Sequence, residues 1–127
     1  PSKSRGLGDV YKRQVSGHVM EVAKIIEISH SKDPDSGEST CDMIIQTSEK
    51  VAMYTFEKGY IAIDGISLTV GSIHEEGCFE VHIIPETLRR TTLSRKVEGS
   101  LVNIEIDSTT QATVDTVVRL NQRMLRK

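Results

Sequence analysis

Two hydroxyl side chains lie close together in an otherwise apolar stretch of the sequence. Residues 59–70 read GYIAIDGISLTV, with Ser67 and Thr69 among isoleucine, leucine and valine. Because side chains alternate along a β-strand, both hydroxyls fall on the face opposite to their apolar neighbours. Such a pair could bind a ligand or orient a reacting group. A solvated strand surface is the commoner explanation, and the pattern alone favours it.

Three other side chains could carry acid–base or binding chemistry. His18, in SGHVM, titrates near neutral pH and could relay protons, although most isolated histidines are surface residues. Asp107 ends the alternating stretch SLVNIEID, and its position before Ser108 also suits the start of a helix. Lys58 precedes Gly59 and would by default be a solvated turn residue. No cysteine or histidine pair has the spacing of metal ligands, so no metal site is predicted.

The composition argues against several classes of partner. The 127 residues carry a net charge of -2, three Tyr, two Phe and no Trp, so the basic, stacking-rich face of nucleic-acid-binding proteins is not expected. No apolar run approaches the roughly 18 to 20 residues that cross a bilayer, and the N-terminus lacks the apolar core of a secretion signal. We therefore expect a cytoplasmic protein without nucleic-acid or membrane partners, in which Cys41 and Cys78 are free thiols.

Short alternating segments separated by turn residues predict a small all-β domain over residues 15–107. Asp64-Gly65 is a strong signal for a tight turn, and Val51, Tyr54 and Phe56 could plug one end of the β structure. About six strands are expected, which is typical of an antiparallel barrel or sandwich. Residues 1–14 show no such period and are expected to form no stable element; residues 5–14 also resemble translated adapter sequence, foreign to the protein.

The last segment, residues 108–127, has the pattern of an amphipathic helix. Ser108 followed by Gln111 predicts a capping box at its start. The predicted apolar stripe is formed by Val114, Val117, Val118, Asn121 and Leu125. A terminal helix of this kind commonly docks on its own domain, but a stripe interrupted by one Asn also suits a symmetric helix–helix seam that holds an oligomer together.

Five motifs in order resemble the riboflavin synthase family, whose chains contain two lumazine-binding repeats. The motifs are SGHVM (16–20), KGYIAIDGISLTV (58–70), HIIPETLRRTTL (82–93), GSLVNIEID (99–107) and TQATVDTV (110–117). The resemblance extends from about residue 15 to residue 118 and is to the second repeat with its terminal helix. The first repeat of the family carries a Cys-containing motif where this chain reads GISLT.

This resemblance implies a six-stranded antiparallel Greek-key barrel that binds 6,7-dimethyl-8-ribityllumazine in a shallow outer pocket. In the family, one lumazine donates a four-carbon unit to another, which yields riboflavin and 5-amino-6-ribitylaminouracil without a metal or organic cofactor. The productive site forms between the first repeat of one subunit and the second repeat of another, and terminal helices hold a homotrimer.

The resemblance also implies roles for individual residues. The catalytic positions of the family correspond to His18, Ser67, Thr69 and Asp107. The substrate-binding positions correspond to Lys58, Gly65, Ile66, Ile84 and Thr87. His18 and the Thr69 hydroxyl would relay protons from the acidic C7-methyl group of lumazine, while Ser67 and Asp107 would hold the two ring systems in register.

The chain departs from the family pattern in lacking the first repeat. We expect it to be a fragment of a two-repeat protein, which alone binds lumazine or riboflavin weakly and turns over little. If it is not a fragment, two copies would have to present their pockets to each other. The alternative functions are a non-catalytic lumazine- or flavin-binding protein, and a barrel that serves only as a protein-interaction module.

Overall fold

Alternation of apolar and polar residues produces a closed antiparallel barrel. The computed structural model describes residues 20–75 and 77–125, and within them six strands close on each other. The strands are β1 (Met20–Lys32), β2 (Ser39–Gln46), β3 (Tyr60–Ile63), β4 (Ile66–Ile73), β5 (Cys78–Ile83) and β6 (Leu101–Glu105). The predicted fold class, a six-stranded antiparallel barrel with a C-terminal helix, is confirmed. Residues 1–14 and His18 lie outside the described residues.

The strand order around the barrel is β1-β2-β5-β4-β3-β6, and β6 pairs with β1 to close it. Three consecutive strands, β3 to β5, form a meander, and β6 returns to lie beside β3. This is the Greek-key arrangement. Its consequence is that segments far apart in sequence, such as β2 and β5, become neighbours.

The inward-facing side chains form one continuous apolar core. Its largest fully buried members include Ile25, Ile45, Phe79 and Ile104. Val51 and Tyr54 belong to this core, as the sequence predicts for a plug at one end of the barrel. Phe56 does not, because its side chain is 50% exposed, so that part of the prediction is wrong.

The turn between β3 and β4 has the geometry that its sequence predicts. Asp64 and Gly65 both have positive φ, at 50° and 81°, and the flanking pair is Ile63 and Ile66. Positive φ at both central residues defines the two-residue hairpin turn that Asp-Gly favours. An Asp64 carboxylate oxygen also accepts the Asn103 N–H at 2.8 Å, which ties the turn to β6.

Short helices connect the strands, and a long one ends the chain. They are α1 (Glu49–Ala52), α2 (Pro85–Arg90), a 3₁₀ helix (Thr92–Arg95) and α3 (Ser108–Leu125). Pro85 occupies the first turn of α2, where the missing N–H costs nothing. Cys41 is buried, Cys78 is partly buried, and both are free thiols, as expected.

Only the first half of α3 rests on the barrel. Val114 packs against the core, and the Tyr54 hydroxyl donates a hydrogen bond to the Asp115 carboxylate. Further along, Leu120 is 51% and Met124 72% exposed. The prediction of simple docking on its own domain therefore holds for the first turns alone. In the described part of the chain, no helix is long and apolar enough to cross a membrane.

Candidate functional site

Polar side chains line up across the outer face of the barrel at the level of Thr69. Thr69 on β4 is the register partner of Tyr60 on β3, and both side chains are exposed. On the other side of β4 lies β5, where Val81 pairs with Val70, so the same register places His82 next to Thr69. His82 in turn pairs with Asp42 on β2. Neighbouring strands are about 4.8 Å apart, so these side chains are within reach of one another.

The register between β4 and β5 is supported by a second observation. A Cβ atom built on Gly71 would lie 3.2 Å from the Glu80 carbonyl oxygen and 3.7 Å from Glu80 Cβ. Gly71 and Glu80 are therefore direct neighbours, as expected one residue beyond the Val70–Val81 pair. On the other side of β3, Glu105 at the end of β6 pairs with Ala62, and Asp107 follows two residues further on, toward Tyr60. We call Asp42, His82, Thr69, Tyr60 and Asp107 the Thr69 row.

A second line of outward residues runs beside the Thr69 row. Ser67 pairs with Ala62, and Ala62 pairs with Glu105 on β6. The register of β4 and β5 places Ile84 on the other side of Ser67. We call these four residues the Ser67 row; it lies about 7 Å from the Thr69 row, two residues along each strand. The two rows make an exposed patch in which Ala62 and Ser67 are small, so a flat ring could lie against the sheet.

Asp107 has a structural role in addition to any role in the site. Its carboxylate accepts the Thr110 hydroxyl at 2.6 Å and the Thr110 N–H at 3.0 Å. It therefore caps α3, whose first residue is Ser108, so the predicted capping box centred on Ser108 is wrong by one residue. Either residue type can cap a helix, which explains the ambiguity.

The bonds to Thr110 lower the pKa of the Asp107 carboxyl from its ordinary 3.8. The cap therefore contributes its full stabilisation at a pH above 3.8, the ordinary pKa of the carboxyl. This stabilisation is lost as the pH falls through the lowered pKa of the folded protein. An ionised carboxylate has about four acceptor sites, more than the two bonds to Thr110 occupy. Asp107 can thus cap the helix and accept a further hydrogen bond from the outer face.

Three predicted binding residues, Lys58, Gly65 and Ile66, lie in or beside the segments that flank β3 and β4. Lys58 is exposed, has a positive φ of 67°, and donates its N–H to the Val70 carbonyl at 2.8 Å. Gly65 is exposed in the β3–β4 turn, whereas the partly buried Ile66 packs its side chain against the core. Gly65 and Ile66 could therefore contribute backbone groups to the site. The Ile66 side chain faces the core and not the outer face of the barrel.

Ile84 and Thr87 lie where β5 ends and α2 begins. Ile84 is 52% exposed and has extended backbone as the N-cap residue of α2. Thr87 is partly buried one turn later, and its carbonyl accepts the Thr91 hydroxyl at 2.7 Å. Both follow directly from the strand that carries His82. The predicted site residues that the structure describes therefore lie around one outer face of the barrel. His18 is outside the described part of the chain.

Three members of the Thr69 row, Asp42, Tyr60 and His82, were not predicted from the sequence as site residues. His82 and Tyr60 occur in two of the motifs quoted above, but neither was assigned a role there. The imidazole Nδ1 of His82 lies 2.5 Å from Asp42 Oδ1, across two strands that are not consecutive in sequence. The signal that could have found His82 is its place in the motif HIIPETLRRTTL.

A cavity of about 640 Å³ lies elsewhere, between the β1–β2 hairpin, α2 and the 3₁₀ helix. None of the predicted site residues that the structure describes lines it. Its basic side chains already have acidic partners: Lys96 Nζ is 3.5 Å from Asp64, and Arg89 is 2.7 Å from Glu38. We therefore favour the outer face as the ligand site. Among the described residues, no group of three or more His, Cys, Asp or Glu could hold a metal ion.

Comparison with known proteins identifies the family of this barrel. The family model described as the lumazine binding domain matches residues 16–107. The fold is that of a small, closed Greek-key barrel protein. Within this class, the chain belongs to the lumazine-binding domain family.

Several curated relatives are riboflavin synthases. That of Chlamydia pneumoniae is 46% identical over 106 residues, which are 84% of this chain and 48% of the relative. That of Escherichia coli K12 is 47% identical over 107 residues, again 84% of this chain and 47% of the relative. That of Chlamydia muridarum is 41% identical over 126 residues, 98% of this chain and 58% of the relative. The chain therefore spans about half the length of the curated relatives it matches.

Proposed function

We propose that this chain is the lumazine-binding second half of a riboflavin synthase. The observation that carries the proposal is the outer face on which Ser67, Thr69 and Asp107 come together within a lumazine-binding domain. The ligand would be 6,7-dimethyl-8-ribityllumazine, a flat bicyclic ring with a polyhydroxylated chain. The identity to riboflavin synthases over most of this chain supports the same assignment.

The proposed chemistry is the dismutation of two lumazines. One ring lies on this face and a second is presented by another barrel, so that a four-carbon unit passes from one to the other. Holding two reactants face to face supplies much of the acceleration that a bimolecular reaction needs. Ser67 and Asp107 would hydrogen-bond the ring system and its substituents, and Lys58 and Thr87 would line the edge of the pocket. Backbone groups of Gly65, Ile66 and Ile84 could pair with the uracil-like edge.

The reaction also needs a proton to leave the C7-methyl group of one lumazine. His18 and the Thr69 hydroxyl are the groups proposed to move it, because imidazole titrates near neutral pH and a hydroxyl can both accept and donate. No external oxidant, reductant or cofactor enters this scheme.

The proposed assembly is a cytoplasmic homotrimer whose two-repeat subunits meet through their terminal helices. The exposed second half of α3 supports this part, since Leu120 and Met124 remain 51% and 72% exposed beside their own barrel. No nucleic acid or membrane takes part in the proposal. The isolated chain presents one barrel, so we expect it to bind lumazine weakly and to form little riboflavin.

Conversion of lumazine tests the enzymatic proposal. A two-repeat protein containing this chain, incubated with 6,7-dimethyl-8-ribityllumazine, should form riboflavin and 5-amino-6-ribitylaminouracil in equal amounts, measured by chromatography. Binding of lumazine without any riboflavin would contradict the enzyme and leave a lumazine carrier. Absence of both binding and product would instead favour a barrel used only for protein interaction.

A further inference from the structure

Three side chains of the Thr69 row stand side by side in the order hydroxyl, imidazole and carboxylate. Thr69 lies on β4, His82 on β5 and Asp42 on β2, and these three strands are consecutive in the barrel. Asp42 Oδ1 is 2.5 Å from His82 Nδ1, and both side chains are accessible to solvent. All three therefore share the outer face on which lumazine is proposed to bind.

We propose that Thr69, His82 and Asp42 form a proton relay in which His82 is the proton acceptor for the lumazine bound to this barrel. The inference rests on the proposed function and adds to it a base that the described part of the chain itself contains. Asp42 would be a positioning residue, since it acts on the substrate only through the imidazole.

The geometry of the pair suits this role. When the Asp42 carboxylate accepts a hydrogen bond from Nδ1–H, the other ring nitrogen, Nε2, is left unprotonated and can accept a proton. The carboxylate also stabilises the imidazolium that results, as in hydroxyl–imidazole–carboxylate triads. The spacing of neighbouring antiparallel residues, about 4.5 to 5.5 Å between Cα atoms, puts the Thr69 hydroxyl within reach of the ring.

The proposed step moves one proton from lumazine to the protein. No electrons pass to an external acceptor. The Thr69 oxygen takes a proton from the C7-methyl group as its own hydroxyl proton passes to His82 Nε2. The electron pair of the broken C–H bond is delocalised into the lumazine ring, which becomes an anion, and His82 becomes a cation beside the Asp42 carboxylate. Return of the proton restores all three groups.

A second histidine–carboxylate pair on the same barrel provides a matched control. His74 Nε2 lies 3.1 Å from Glu80 Oε2, and both side chains are exposed to a similar degree. The residue beside Glu80 on β4 is Gly71, which has no hydroxyl. The His74 pair therefore has the charges of the His82 pair without the third group of a relay.

Exchange of the C7-methyl protons of lumazine tests the relay in this chain, without a need for the second barrel. Lumazine is mixed with the chain in D₂O, loss of the methyl signal is followed by proton NMR, and binding is measured separately by fluorescence. The wild-type chain should accelerate exchange over free lumazine. His82→Gln and Thr69→Val should each lower that acceleration by roughly tenfold or more, the range of a lost acid–base group. His74→Gln should leave it unchanged.

Asp42→Asn should lower exchange less than His82→Gln and should shift the imidazole toward protonation at Nε2, which nitrogen NMR of His82 detects. Wild-type exchange in His82→Gln would overturn the relay, as would an equal loss in His74→Gln. Binding by the wild-type chain without any accelerated exchange would overturn the relay and leave the binding proposal standing. Absence of lumazine binding would overturn the proposed function itself, and the relay with it.

Discussion

Thr69→Val in the two-repeat enzyme should lower kcat for riboflavin formation by roughly ten- to a thousandfold, the range expected when an acid–base relay is interrupted. The substitution keeps the branched shape that suits a strand and removes only the hydroxyl. Thr69 is exposed on β4, so the free energy of unfolding should change by only about 0.5 kcal/mol or less. Steady-state kinetics and thermal unfolding of the same preparations separate the two effects.

His18→Ala should lower kcat by a factor of the same order, because His18 is proposed to move the C7-methyl proton together with the Thr69 hydroxyl. Ser72→Ala is the matched control, because Ser72 is another exposed hydroxyl on β4, next to the last residue of the strand. It should leave kcat unchanged. Unaltered kcat in both Thr69→Val and His18→Ala would remove these residues from the mechanism.

Removal of residues 111–127 should convert the proposed trimer into monomers. The deletion takes away the half of α3 that its own barrel leaves exposed, including Leu120 and Met124. Sedimentation velocity would show the fall in mass, and circular dichroism would show that the barrel remains. The deletion also removes Val114 and Asp115, which contact the barrel, so a milder variant is needed alongside it.

Leu120→Glu combined with Met124→Glu places charges only on the exposed part of α3. Burying these carboxylates in a helix–helix seam would be costly, so this variant should also dissociate the trimer. Ser108 to Asp115 would still dock on the barrel. A trimer of unchanged mass in both variants would mean that α3 serves only its own barrel and that other surfaces hold the subunits.

The strand pattern predicted those features that depend on near neighbours in sequence. Alternation placed Ser67 and Thr69 on the outside because the period of a strand is two residues. Asp64-Gly65 predicted its turn because few residue pairs adopt positive φ twice in succession. The remaining predicted site residues followed from the motifs of the family rather than from alternation, since nothing local distinguishes a solvated hydroxyl from one that contacts a ligand.

The features that sequence reasoning missed depend on strands meeting across the barrel. The proposed role of His82 depends on Asp42 and Thr69. These residues lie on strands β2 and β4, which become neighbours of β5 in the Greek-key order of the barrel. Phe56 was wrongly assigned to the core because its apolar character does not reveal that the chain turns outward before β3. The cap of α3 was misplaced by one residue because Asp107 and Ser108 are both good caps.

Lumazine should bind to the outer face formed by the Thr69 and Ser67 rows, and NMR mapping on this chain shows where it binds. Titration of the labelled chain with 6,7-dimethyl-8-ribityllumazine should shift the amide signals of Ser67, Thr69 and Ile84 with a common saturation curve. Signals from the cavity beside α2, such as those of Leu88 and Lys96, should move less. Shifts confined to Leu88, Lys96 and their neighbours, or no shifts at all, would contradict lumazine binding at this outer face.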